Sequence, residues 1–182
     1  MTENTKFSET VRNLMKNDAD CDNHWQAIMN LAYESWEDGL SMKDWFEALS
    51  EIEKQAVSVG KMNYQVENGG FAQWIDNGYA EVMGWKAAES LKLIEQDDVY
   101  ELVMRVLEIA ESNNWGRGTY TEEELVEDEE TGEQYYDDVE YWYSEVLCEE
   151  LECANFDSKF YEQKSFVDDV KKYFEMKVMS EE

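Results

Sequence analysis

Proline is absent from all 182 residues, and histidine occurs once, as His24. Without proline no helix has to end for want of a backbone donor, and the Leu, Met, Glu, Lys and Ala content favours helix almost throughout. A single histidine excludes the helical di-iron arrangement, which needs two Glu-x-x-His motifs. Cysteine is scarce as well: Cys21, Cys148 and Cys153 are odd in number and form no C-x-x-C. No apolar run approaches a membrane span, and Met1 to Lys16 is polar, without the apolar core of a signal peptide. Together these absences predict reduced thiols in the cytoplasm of a bacterium or a phage-infected cell, with no membrane partner. The largest gap is in positive charge. Between Arg117 and Lys159 there is no basic residue at all.

What fills that gap is acid. Aspartate and glutamate number 44 against 15 lysines and arginines, a formal net charge of -29. Such a surface repels nucleic acid and attracts basic protein surfaces, with fast association that weakens in salt. Duplex DNA carries one charge per roughly 1.7 Å of axis, so a charge of -29 corresponds to roughly 50 Å of duplex. A compact domain of this length is about 40 Å across. The mean charge density is therefore that of a polynucleotide. Hydrophobic residues still make up 43% and aromatics 14%, with seven Trp and eleven Tyr, enough for one core. The expected fold is all-α, a single helical domain over residues 1–182 with an acidic insertion at about 115–153.

Along the chain, Phe7, Val11, Leu14 and Met15 mark a first amphipathic helix. Asp18, Asp20 and Asp22 open like a calcium loop, but Asn23 stands where the turn glycine belongs and Met29 where the bidentate Glu belongs. A solvated turn capping the next helix fits better. Ser41 to Asp44 has capping-box spacing, and Trp45, Leu49, Ile52, Ala56 and Val59 continue as one long helix with Gly60 as a candidate kink. Val82, Trp85, Ala88, Leu91 and Ile94 mark another helix, and Leu102, Val103, Val106, Leu107 and Ala110 a third.

Between these lies Tyr64 to Tyr79, Y-Q-V-E-N-G-G-F-A-Q-W-I-D-N-G-Y. Asn68, Gly69 and Gly70 tolerate the backbone of a helix end, so a helix stops there and restarts with Phe71, Trp74 and Ile75 on one face. Asn77 and Gly78 close that turn. Gln73 and Asn68, if buried, must bond to the backbone that the double glycine leaves exposed. The run Glu67, Asn68, Gly69, Gly70, Phe71, Gln73, Trp74 and Asn77 resembles the N-G-G-F-x-Q-[WY] core of a family of small, all-helical bacterial and phage proteins. That family includes an acidic member that acts as a DNA mimic, occupying the DNA-binding surface of a transcriptional regulator. The resemblance extends through Ile94 and returns from Phe156 to Tyr173, where it implies closing helices. It leaves 115–153 unmatched and homodimerisation open.

The block after Arg117 carries Glu122, Glu123, Glu124, Glu127, Asp128, Glu129, Glu130, Glu133, Asp137, Asp138, Glu140, Glu145, Glu149, Glu150 and Glu152. A charge run is ordinarily a solvated face or tail. This one is internal, interleaved with Tyr120, Tyr135, Tyr136, Tyr141, Trp142 and Tyr143, and it sits on a whole-chain excess. Thr131 and Gly132 suggest a turn, and Asp137 to Cys153 a helix with one docking face. Trp25, Trp45, Trp74 and Trp85 lie at core spacing, whereas Trp115 and Trp142 are placed to anchor an interface. Residues 179–182 should fray.

No P-loop, dinucleotide fingerprint, G-x-S-x-G or H-E-x-x-H occurs. The chain is therefore expected not to be an enzyme, with no catalytic residue, metal or cofactor. The expected partner is a basic nucleic-acid-binding protein, engaged by carboxylates standing in for phosphates. A carboxylate-metal enzyme and an acidic scaffold or immunity-type protein are the competing classes.

Overall fold

The fold is described from a computed structural model over residues 3–17, 21–127, 132 and 134–180. In chain order run α1 (Glu3–Asn17), α2 (His24–Glu34), α3 (Met42–Ala48), α4 (Glu51–Asp76), α5 (Tyr79–Leu93) and α6 (Asp97–Ser112). Then come β1 (Thr119–Glu127), β2 (Gln134–Trp142), α7 (Tyr143–Ala154), α8 (Phe156–Tyr161) and α9 (Phe166–Met179). The architecture is predominantly helical, as expected. It also contains one antiparallel β-hairpin, which was not expected.

Polar caps start the helices where the sequence places them. Asn23 Oδ1 accepts from the Gln26 amide at 2.9 Å, and Ser41 Oγ from the Asp44 amide at 3.1 Å. The long helix expected from Ser41 is in fact two. Leu49 is extended at ψ 150°, and the Ser50 amide donates to the Glu53 carboxylate at 2.9 Å, beginning α4 afresh. Apolar periodicity hid this break because Leu49 stays buried across it. Gly60 does not kink α4. A Cβ there would run into the Met29 thioether, so the glycine lets α2 and α4 approach. The aspartates at 18 and 20 lie outside the described residues, as do residues 181 and 182; α9 remains helical through Met179.

One core cluster draws residues from α1, α2 and α4 to α9, among them Val11, Trp25, Val66, Leu91, Val106, Leu147, Phe160 and Phe174. A second, smaller cluster holds Trp45, Phe46, Leu49 and Met83. Two buried indoles find acceptors, Trp25 Nε1 donating to the Ala56 carbonyl at 2.9 Å and Trp45 Nε1 to that of Ala32 at 3.0 Å, whereas Trp74 Nε1 is buried with no partner among the described residues. Trp85 departs from its expected place in the core and is 42% exposed. The buried stripe of α5 is Ala80, Met83, Gly84, Ala87, Ala88 and Leu91. These small residues let neighbouring helices come close, with Gly84 against Leu107, and they turn Trp85 outward.

The Asn-Gly-Gly corner lies inside α4. Gly69 is non-helical at φ -169° and Gly70 takes φ 75°, a left-handed value that disfavours any side chain. Phe71, Trp74 and Ile75 are buried beyond it. The amide of Phe71, freed by the break, donates to Asp157 Oδ1 of α8 at 2.8 Å. Tyr161 Oη donates to the Val66 carbonyl at 2.6 Å, a second link between the same elements. Asn68 Nδ2 donates to the Tyr64 carbonyl at 2.6 Å. Gln73 is half-buried rather than buried, and its side chain bonds to another side chain instead of backbone. Gln65 Oε1 accepts from Gln73 Nε2 at 2.8 Å and from Asn77 Nδ2 at 2.7 Å. Gly78 follows at φ 76°, closing the segment as expected.

Asp157→Ala leaves the Phe71 amide without its acceptor and should cost about 1–3 kcal/mol in urea unfolding. Asp157→Asn keeps an acceptor oxygen and should cost less. Equal stability of Asp157→Ala and the parent would show that this bond does not hold the corner.

Candidate partner-binding surface

The acidic block is a hairpin followed by a helix. The expected helix from Asp137 begins only at Tyr143, so Tyr141 and Trp142 belong to β2. Gln134 to Trp142 is rich in Tyr, Val and Trp, residues that fit a pleated strand. In a helix Asp137 and Glu140 would repel at a spacing of three, whereas a strand sends successive residues to opposite faces. The register pairs Thr119 with Trp142, Glu123 with Asp138, Glu124 with Asp137 and Leu125 with Tyr136. Gly132, at φ 69°, lies in the connection, while Asp128, Glu129, Glu130, Thr131 and Glu133 lie outside the described residues.

The base of the hairpin is an aromatic cluster. Tyr120 stacks on Tyr141 at 5.5 Å between centroids and lies 4.8 Å from Tyr143. The Tyr143 amide donates to the Gly118 carbonyl at 3.1 Å, and Thr119 Oγ1 to Glu140 Oε1 at 3.0 Å. Tyr141 Oη donates to the Glu124 carboxylate. That bond, helped by partial desolvation and the charges of Glu124 and Glu122, pushes the Tyr141 hydroxyl up to about 12. Desolvation among the rings, with Glu122 and other anionic neighbours, also raises Tyr120.

Strand alternation sorts the remaining side chains. One face carries Tyr120, Glu124, Val126, Val139 and Tyr141, all half-buried, with Glu122 exposed. The other carries Thr119, Thr121, Glu123, Leu125, Glu127, Gln134, Tyr136, Asp138, Glu140 and Trp142, every one exposed. Nine residues per strand at about 3.4 Å each make a ribbon roughly 30 Å long. Seven acids on it give about one per 4 Å, against one per roughly 3.4 Å for a single strand of duplex DNA.

α7 extends the anionic surface. Leu147 and Leu151 are buried in the core, which turns Glu145, Glu149 and Glu152 outward on the opposite side. Glu150 differs, since its Oε2 accepts from Asn113 Nδ2 at 3.0 Å and ties α7 to the end of α6. The flanking cations are engaged elsewhere. Arg117 pairs with Glu81 of α5, Nη2 to Oε2 at 2.5 Å, and Lys159 Nζ donates to the Ala154 carbonyl at 2.8 Å while lying over the Phe156 ring. Neither is spent on the hairpin.

Of the two expected anchors, Trp142 is 55% exposed on the outward face, whereas Trp115 is half-buried against the core. Leu125 (53%) and Tyr136 (67%) join Trp142 on that face. Leu125 as a contact was missed because only a strand register pairs it with Tyr136. Cys148 is half-buried, and burial, with Asp76 and Glu152, raises its thiol away from reactivity. Among the described residues no three His, Cys, Asp or Glu side chains gather as metal ligands. No helix among them is long and apolar enough to cross a membrane.

A family model described as DMP19-like protein matches residues 47–176. The chain belongs to this family. The matched span runs from the end of α3 into α9, so it holds the corner and brackets the hairpin, and it leaves α1 and α2 outside. Comparisons with curated proteins and with solved structures return no significant match.

Two outcomes follow from the hairpin's geometry. Like charges directly opposite destabilise a strand pair, so Glu123→Lys, facing Asp138, should stabilise the hairpin by about 0.2–1 kcal/mol. Slower hydrogen exchange of hairpin amides would register it; faster exchange would contradict the register. Because the Tyr141 hydroxyl is raised, its contribution is full below the ordinary phenol range near pH 10 and is lost as pH climbs towards 12. Glu124→Gln should return Tyr141 towards its ordinary ionisation in an absorbance titration referenced to Tyr141→Phe. An unshifted phenol would contradict the Glu124 bond.

Proposed function

We propose that this chain is an acidic DNA mimic, which binds the cationic nucleic-acid site of a DNA- or RNA-handling protein and inhibits it by occupancy. The observation that carries the reading is the hairpin's outward face. Four of the ribbon's seven carboxylates, Glu123, Glu127, Asp138 and Glu140, lie on that face; the seven together, over both faces, approach the linear charge density of a nucleic-acid strand, and no cation is interleaved with them. Folding gives no reason for that arrangement, because the repulsion it stores opposes compaction. A partner's Lys and Arg side chains would relieve it.

Other features support the same reading. The net charge of -29 disfavours direct contact with nucleic acid. The N-G-G-F-x-Q-W run resembles a family with a DNA-mimic member, and the rigid α7 adds Glu145, Glu149 and Glu152 beside the hairpin. Targets that fit are a transcription factor, a nucleoid protein, or a restriction or CRISPR nuclease. A phage counter-defence role is consistent with the charge and size.

A second reading is favoured by one specific observation, the exposure of Leu125, Tyr136 and Trp142 on one face. An acidic scaffold or immunity-type protein would use these side chains as hot spots, and its binding would depend little on salt.

Salt and charge separate the two. Capture from a cell extract at low salt, followed by stepwise elution, should release the mimic's partner steeply between about 50 and 200 mM salt. Changing Glu122, Glu123, Glu124, Glu127, Asp137, Asp138 and Glu140 to Gln or Asn should abolish capture while keeping or raising thermal stability. Undiminished capture by the neutralised chain refutes mimicry. Salt-insensitive capture lost on Trp142→Ala establishes the second reading.

A further inference from the structure

The hairpin has two strands, so each is hydrogen-bonded along one side only. The other side of each presents backbone N–H and C=O groups able to pair with a further strand. The two strands differ in charge. β1 carries Glu122, Glu123, Glu124 and Glu127, three of them consecutive, and among the described residues has no substantial neighbour except β2; β2 carries Asp137, Asp138 and Glu140 and meets α7 where the chain passes into it. The more acidic edge is therefore that of Thr119–Glu127, T-Y-T-E-E-E-L-V-E.

We propose that the free edge of β1 takes up an extended, Lys/Arg-rich segment of the partner protein as a third strand. The proposal rests on the mimic reading and specifies how the partner is held. Charge complementarity selects the occupant. A second copy of this chain would set glutamates against glutamates on both faces, which destabilises cross-strand pairs. An incoming cationic strand meets an opposite charge at each of these positions.

The edge also sets a pattern for that strand. Glu122, Glu123 and Glu124 are consecutive, so their carboxylates fall on both faces of the sheet, and Leu125 and Val126 follow with one apolar side chain on each. The matching segment has three consecutive basic residues beside two apolar ones. Backbone pairing supplies affinity, and the side chains on alternate faces supply register. A flat groove of lysines, by contrast, needs no particular order of residues.

The test uses the whole protein and synthetic peptides. The probe is a nine-residue peptide centred on Val-Val-Arg-Arg-Arg, the order that an antiparallel third strand sets against Glu122 to Val126. Controls are the same composition with the arginines separated, and the same sequence with alternate backbone amides methylated to remove their donors. The expected result is binding of the probe at low salt, with weakening by about tenfold or more on methylation, since several backbone hydrogen bonds are lost. The separated control should also bind more weakly, and exchange at β1 amides should slow with the probe alone.

Equal binding of all three peptides without β1 protection overturns strand addition. If that binding is still abolished by the Glu and Asp neutralisation, the mimic reading stands. If no cationic peptide binds and the neutralised chain captures its partner undiminished, both fall.

Discussion

A carboxylate on a backbone amide joins the two halves of this molecule. Gly69 and Gly70 interrupt α4, and the interruption frees the amide of Phe71 while burying its ring. Asp157 of α8 accepts from that amide at 2.8 Å, and Phe160, one turn on, sets its ring edge-on to Phe71 at 5.7 Å. The closing helices are thereby fixed to the central one. α7 directly precedes α8 and is held against the core by Leu147 and Leu151, so the hairpin that feeds α7 is mounted on a fixed base. A two-stranded ribbon alone is marginally stable in water. Here its root, at Tyr120, Tyr141 and Tyr143, is attached to a packed body.

The distribution of charge reads differently once that mount is seen. Cations near the hairpin in sequence are tied back to the helical body, Arg117 to Glu81 and Lys159 to the Ala154 carbonyl. Lys86 likewise bridges Glu51 and Glu89. Burial pulls Lys86 down, but its two carboxylate partners outweigh this and leave it raised. The body therefore neutralises part of its own charge and the ribbon does not. Packing in the body stabilises a projecting element that is electrostatically unfavourable by itself, an arrangement more typical of a binding surface than of a solubilising one.

Much of this was legible in the sequence. The corner could be placed because Asn-Gly-Gly and Asn-Gly are backbone signals that act locally, and the face of α6 because its spacing is unambiguous. The break at Leu49 was masked by continued burial across it. The hairpin was missed because a high acid content reads as helix or solvated loop, while the Thr, Val and Tyr alternation that favours strands was diluted by glutamates. Asp157 is 86 residues from Phe71, and no local pattern could assign it as a clamp. Trp85 looked like core because the true buried stripe of α5 consists of small residues, which carry little hydrophobic signal. The acidic surface itself was recognisable residue by residue; its division into an exposed face and a half-buried one was not.

Mutual exclusion is the central claim, since a mimic and the polymer it imitates cannot occupy one site together. The direct measurement is competition on a captured partner, with the duplex or RNA that the partner binds added in increasing amounts to the preformed complex at fixed salt. Stoichiometric displacement of this chain, with no species containing all three components, is the predicted result. A stable ternary complex would contradict it.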